Sequence, residues 1–187
     1  MRRLLSGYLL LCVWSLFAVT AAPAQVVFID PCGATIAPFM SQTFNIWLCA
    51  EGQAATGITA AEFRIAGLPS TWTSTVFPGT GTMTGDVFGD GVRVAFPSCV
   101  QPSGMYLQLF TVNIIAMDER FDVVLMVSPT VPVSDPNLTC SFVELCNAPV
   151  FTKVCAGDHG AIINPHIRNC GLAVNAGSWG GVKSLYR

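Results

Sequence analysis

The sequence predicts an all-β protein, an antiparallel two-sheet sandwich. Three observations predict it across the 187 residues. Apolar residues recur with period two rather than 3.6. The runs that carry this alternation are rich in β-branched and aromatic residues, which suit a pleated, half-buried surface. Gly, Pro, Asp and Asn break the runs at intervals of roughly 8–15 residues, the punctuation of a sandwich rather than of βαβ units.

The first element is an address rather than a strand. Arg2 and Arg3 form a short positive region, residues 4–19 are nearly all apolar, and Ala22-Pro23-Ala24 supplies a small-x-small cleavage pattern. This is the grammar of a secretory signal peptide over residues 1–24. The apolar run falls short of the ~20 residues that span a bilayer. Leu11 precedes Cys12, so the small residue that a lipidated cysteine needs before it is missing. The expectation is a cleaved leader and one sandwich domain over 25–187, exported to the cell surface or beyond, with no integral membrane span.

The strands follow in order. Val26–Ile29 is a short first run. In Gln42–Cys49, Phe44, Ile46 and Leu48 share one face. In Ala61–Ile65, Ala61, Phe63 and Ile65 point one way, and Glu62 and Arg64 the other. Trp72–Val76 is another short candidate. Val92, Val94 and Phe96 alternate with Arg93 and Ala95. Met105–Met117 reads as apolar on both faces, as a central strand covered on both sides would be. Phe121, Val123, Leu125 and Val127 alternate next, followed by Val150–Cys155 and Ala161–Ile163. In Ser178–Arg187, Trp179, Val182, Leu185 and Tyr186 fall at helical spacing, which predicts a short C-terminal helix or strand closing the sandwich; the other reading of this segment is a sorting tag.

Cysteine usage agrees with export. Without Cys12, seven remain: Cys32, Cys49, Cys99, Cys140, Cys146, Cys155 and Cys170. In a chain with only 11% charged residues this density reads as a disulfide framework. Tight C-x₂₋₄-C zinc pairs do not occur. A Cys146–Cys155 bridge would clip a short loop, and a Cys32–Cys49 bridge would tie the first strand to the second. Seven is odd, so one thiol is left over, either buried as a small apolar group or used between molecules.

Charge and motif exclude more than they identify. Removing the leader takes away Arg2 and Arg3 and leaves seven basic residues against 11 acidic ones, a net charge of −4. Nucleic-acid binding needs a basic stripe, and none is present. His159 and His166 are seven apart, not at the spacing of a helical ligand pair, and read as exposed loop histidines. No G-x-S-x-G elbow occurs, and the acids do not cluster as a glycosidase pair. Asp86–Gly91 could offer oxygen ligands to Ca²⁺, but Asp90-Gly91 is better read as a hairpin signal. Asn137-Leu138-Thr139 is a formal glycosylation sequon. No catalytic residue, metal site or cofactor is therefore expected. Among the aromatic residues Trp72, flanked by Ser70, Thr71 and Thr73, is the one most suited to an exposed sugar-stacking role.

A resemblance follows from particular stretches. The order of an apolar strand, a short loop, GITAAEFRIAGLP (57–69), a turn and a further strand resembles a cohesin-type module, which implies a jelly-roll-like sandwich. FPSC (96–99), CSFVELCNAPVFTKVC (140–155) and SWGGVKSLYR (178–187) resemble uncharacterised exported bacterial proteins with a cohesin-like β-sandwich. The resemblance covers most of residues 26–187. It implies a fold and an extracytoplasmic setting, and for a true cohesin a dockerin partner. It implies no binding residue. The function expected is a non-catalytic interaction or structural module with a protein partner; the alternative is a carbohydrate-binding module of the same architecture with polysaccharide as partner.

Overall fold

The computed structural model describes residues 25–50, 57–146 and 152–166. The leader and the C-terminal segment, with Cys12, Cys170 and Trp179, lie outside them. Among the described residues there is no helix, and so none long and apolar enough to cross a membrane. The strands are β1 (Gln25–Asp30), β2 (Ser41–Ala50), β3 (Ile58–Ala66), β4 (Thr73–Pro78), β5 (Thr82–Asp86) and β6 (Gly91–Val100). They continue as β7 (Tyr106–Ile115), β8 (Val123–Ser128), β9 (Phe142–Leu145), β10 (Lys153–Cys155), β11 (Gly157–Asp158) and β12 (Ala161–Ile163).

Two sheets face each other. The first runs β11-β1-β2-β7-β4, and the second β10-β9-β3-β6-β5. Strand β8 joins the second sheet through Arg64–Ala66 of β3 and carries β12 on its other side. Every pairing is antiparallel except β1 with β11. The alternation read in the sequence sets which side chains meet. Phe44, Ile46 and Leu48 of β2 and Phe110, Val112 and Ile114 of β7 face inward from the first sheet, all buried. Ala61, Phe63 and Ile65 of β3 answer them with Val92 and Val94 of β6. Phe63 and Phe110 stack across the gap, with centroids 5.8 Å apart and planes 5° from parallel. Each such large side chain contributes about 1.5–3 kcal/mol by leaving water.

Strand β7 departs from expectation. It is central, but its outer face is not covered: Gln108, Thr111 and Asn113 stand exposed or half-buried. A bulge opposite Ile46/Trp47 leaves Leu109 as the extra residue and reverses the face assignment along the strand. Counting apolar residues through Met105–Met117 misses that reversal. The β3–β4 turn needs Gly67: its φ is +96°, and a Cβ there would lie 2.0 Å from the Val124 carbonyl oxygen. Asp86–Gly91 closes the β5–β6 hairpin, with the Phe88 amide donating to Asp86 Oδ1 at 3.0 Å.

The disulfides differ from the two bridges drawn from spacing. Cys146 pairs with Cys99, and Cys155 pairs with Cys140. In the β9–β10 hairpin Cys155 lies opposite Phe142, while Leu145 bonds to Thr152, so Cys146 and Cys155 sit at opposite ends. Cys32 and Cys49 are also too far apart. Cys49 is opposite Val26, well along β1 from Cys32, and a disulfide needs Cα atoms within about 7 Å. Cys32 is disulfide-bonded, though not to Cys49, and Cys49 is a buried thiol.

Candidate functional site

Loops from four places meet at one end of the sandwich: residues 31–40, 67–72, 116–122 and 164–166. A single side chain organises them. Asn164 is buried at φ 54°, a left-handed conformation that Asn tolerates better than most residues. Its Oδ1 accepts from the Ile36 amide at 2.6 Å, and its Nδ2 donates to the carbonyls of Ile36 (2.9 Å) and Arg120 (2.8 Å). Its own amide donates to Ala34 O, and its carbonyl accepts from the Asp122 amide. The 31–40 and 116–122 loops are thereby pinned to the segment that follows β12.

Two acids complete the frame. Asp118 Oδ1 accepts from Trp72 Nε1 at 2.5 Å and from Thr71 Oγ1 at 3.1 Å, and both its oxygens accept from Arg120 Nε. The Arg120 hydrogen bond holds the Asp118 carboxyl below the usual carboxylate range, and Asp118 in turn raises Arg120. Asp122 accepts from the His166 amide at 2.9 Å and pairs with His166 Nδ1 at 2.7 Å. The amide bond, followed by the ring bond, lowers the Asp122 carboxyl. The Phe121 ring lies 4.7 Å from the His166 ring, tilted by 42°.

This frame presents an apolar rim. The Phe39 amide donates to Ala116 O and the Ala116 amide to Met40 O, which sets Phe39 and Met40 beside Met117. Phe39 is 75% exposed, Met40 60%, Phe121 54% and Met117 42%. Phe39 also has φ 63°, a backbone conformation that strains a bulky residue by roughly 1–3 kcal/mol. Aromatic, Met and Arg side chains together are the composition enriched at protein–protein interfaces.

Trp72 belongs to this end, but not as an exposed platform. It is 4% exposed. The turn closed by its amide on Pro69 O folds the ring inward, and Asp118 satisfies its indole N–H. Flanking Ser and Thr signal the turn rather than the ring's exposure. His159 is likewise buried rather than exposed, and desolvation lowers its pKa. His166 is exposed as expected and takes Asp122 as its partner. Among the described residues no three His, Cys, Asp or Glu side chains converge as metal ligands. Sequence reasoning missed Asn164, Asp118, Phe39 and Met40. The Pro38-Phe39-Met40 step, two large apolar residues just after a loop proline, was the available signal.

A second concavity lies on the outer face of the second sheet. Thr59, Arg93, Ala95 and Glu144 and the Cys99–Cys146 bridge line a cavity of about 400 Å³. Arg93 binds Glu144 at 2.8 Å. Beside it the buried Glu62 accepts from Thr130 Oγ1 and from the amide and hydroxyl of Ser134, strapping the 129–136 loop over the sheet. Every charge in this cavity is already paired, so it is built as a brace.

No protein-family model matches the chain, and no curated protein matches it. Among solved structures the chain is similar to cohesin modules. The seventh ScaB type I cohesin from Pseudobacteroides cellulosolvens shares 10% identity over 75% of this chain and 91% of its own, with a TM-score of 0.47. The third ScaC cohesin from Acetivibrio cellulolyticus, solved in complex with the ScaB dockerin, shares 13% over 75% and 98%, with a TM-score of 0.46. A non-cellulosomal cohesin from the archaeon Archaeoglobus fulgidus shares 11% over 74% and 90%, with a TM-score of 0.43. The likeness is one of strand layout, and it bears on no individual residue of this chain.

Proposed function

We propose that this chain is an exported, non-catalytic protein-binding module whose partner docks on the loop end at Phe39, Met40 and Met117, with Arg120 at the rim. The observation that carries the reading is Phe39. Its backbone is left-handed and its ring is three-quarters exposed. The ring gains little from folding, yet the backbone bears the cost of holding it outward. Large apolar groups displayed on a preorganised frame are the anchors that interfaces use. The leader grammar and the disulfide framework support export, to the cell surface or outside the cell.

The test is capture. The oxidised protein from Gln25 onward is immobilised and exposed to envelope and secreted fractions of its own organism, with and without prior protease treatment of those fractions. The expected result is a retained partner that protease treatment abolishes and that a Phe39→Ser/Met40→Ser variant no longer retains. Retention unchanged in that variant removes the loop end from the reading. Turnover of a substrate that survives repurification removes the non-catalytic part.

A further inference from the structure

We propose that the outer face of the first sheet is a docking surface for a neutral polysaccharide chain, distinct from the loop end. The register of β2, β7 and β4 lines up two rows across the strands. Thr43, Asn113 and Thr75 form one, and Asn45, Thr111 and Phe77 form the other. Trp47 and Gln108 pair in the next position. All of these side chains are exposed or half-buried. Their neighbours in each strand point into the core, so the alternation turns them outward together.

The chemistry of these rows is specific. They hold no Lys, Arg or Glu. Among the described residues, the charged side chain in register with these rows is Asp30, paired with Asn45 at the β1 end of the second row. An anionic polymer would find no cation there. What the rows offer is amide and hydroxyl groups, which donate and accept equally and suit a ligand dense in hydroxyls. The array is also held in place. Gln108 Nε2 donates to Asn45 Oδ1 and to Thr111 Oγ1, both at 3.0 Å. Thr111 Oγ1 donates to Asn45 Oδ1 at 3.2 Å, and Asn113 Nδ2 to Thr43 Oγ1 at 3.2 Å. These bonds leave the Asn45 Nδ2 donors and the Oε1 and Oδ1 acceptors of Gln108 and Asn113 without a partner among the described residues. Side chains already fixed in place lose less entropy when a ligand arrives.

Aromatic rings flank the amides. Phe77, 53% exposed, ends the second row on β4, and Trp47 stands half-buried beside Gln108 on β2. Sugar rings carry apolar C–H faces as well as hydroxyls, and an aromatic face next to amides meets both. From Phe77 to Asp30 the row crosses four strands, or roughly 14 Å at the usual strand spacing. That extent suits a polymer segment better than a single sugar. Phe77 is a large apolar side chain on an edge strand with no core role, and a ligand surface accounts for its position.

Co-sedimentation tests this. The oxidised protein is mixed with washed cellulose, chitin and cross-linked dextran, and with alginate beads as the anionic comparison, at 0.1 and 1 M NaCl. Phe77→Ala, Asn45→Ala, Thr75→Arg and Phe39→Gly are run beside it, each matched for melting temperature. The expected result is retention on at least one neutral polysaccharide, insensitive to salt. Phe77→Ala, Asn45→Ala and Thr75→Arg should each weaken it tenfold or more, and Phe39→Gly should leave it unchanged. The proposal is overturned by no retention on any neutral polymer, by retention only on alginate, or by sheet-face variants that bind as well as the parent. Loss in Phe39→Gly alone would also overturn it, by assigning the binding to the loop end. Because Thr75 is exposed, its arginine variant tests the face even if Phe77→Ala lowers stability.

Discussion

Phe39 separates folding from recognition within one side chain. Replacing it by Gly relieves the left-handed backbone but makes the unfolded chain more flexible, and the two effects offset each other to within about 1 kcal/mol. Phe39→Gly is therefore expected to melt within a few degrees of the parent while losing partner capture at least tenfold. A large drop in stability would mean that the ring packs rather than recognises. Asn164 is the opposite case. Its amide satisfies three backbone groups from two loops, and Asn164→Ala orphans them. A loss of about 2–3 kcal/mol is expected from urea denaturation, with the 31–40 loop the first region to gain amide exchange. Neither residue was legible in the sequence. A buried asparagine in a Pro-flanked loop looks like any turn residue until the backbone groups it serves are known.

His159 carries the pH dependence at this scale. Burial lowers its folded-state pKa below the ordinary imidazole value of 6.5, so the folded protein resists a proton that the unfolded chain accepts. Its contribution is complete above pH 6.5 and is lost as the pH falls through the lowered folded value. Stability is expected to decline on acidification below 6.5, and a His159→Gln variant should flatten that decline in denaturation series run between pH 7 and 5. Asp118 and Asp122 titrate lower. Their support of the loop end is present above about pH 4 and is lost as the pH falls through their depressed values.

At the scale of elements, the alternation of Phe44, Ile46 and Leu48, of Ala61, Phe63 and Ile65, and of Val92 and Val94 was legible. Burial on one side of a strand imposes a period of two. The β7 face was not, because the Leu109 bulge shifts the phase without leaving a mark in the composition. The disulfide pairing was not legible either, since it depends on which strand ends lie side by side. Cys140–Cys155 closes a separation of 15 residues and Cys99–Cys146 one of 47. In the chain-entropy model these stabilise by about 3 and about 4 kcal/mol. A Cys140→Ser/Cys155→Ser variant is expected to lose the smaller amount and a Cys99→Ser/Cys146→Ser variant the larger, read from urea midpoints of oxidised protein. Equal losses would argue that strain or residual unfolded structure, not loop length, sets the values.

At the scale of the molecule, the sandwich divides its surface into parts with different chemistry. The outer face of the second sheet is braced by the Glu62–Arg93–Glu144 charges and the 129–136 strap. The outer face of the first sheet is a neutral amide and hydroxyl array. The loop end gathers exposed Phe39, Met40, Met117 and Phe121 on a hydrogen-bonded frame. Fold class was predictable because it needs only pattern and punctuation. The site was not, because Phe39, Met117, Asp118 and Asn164 are brought together by topology across more than 120 residues of chain. Site-specific photo-cross-linking in the native envelope or secreted fraction reads directly whether a protein partner docks on the loop end. A benzophenone side chain is placed at Phe39 in one variant and at Thr84, exposed on the β5 strand, in another. The expected result is a protein adduct from position 39 and none from position 84. Adducts from position 84 with none from position 39 would assign the partner to another surface and overturn the docking at the loop end.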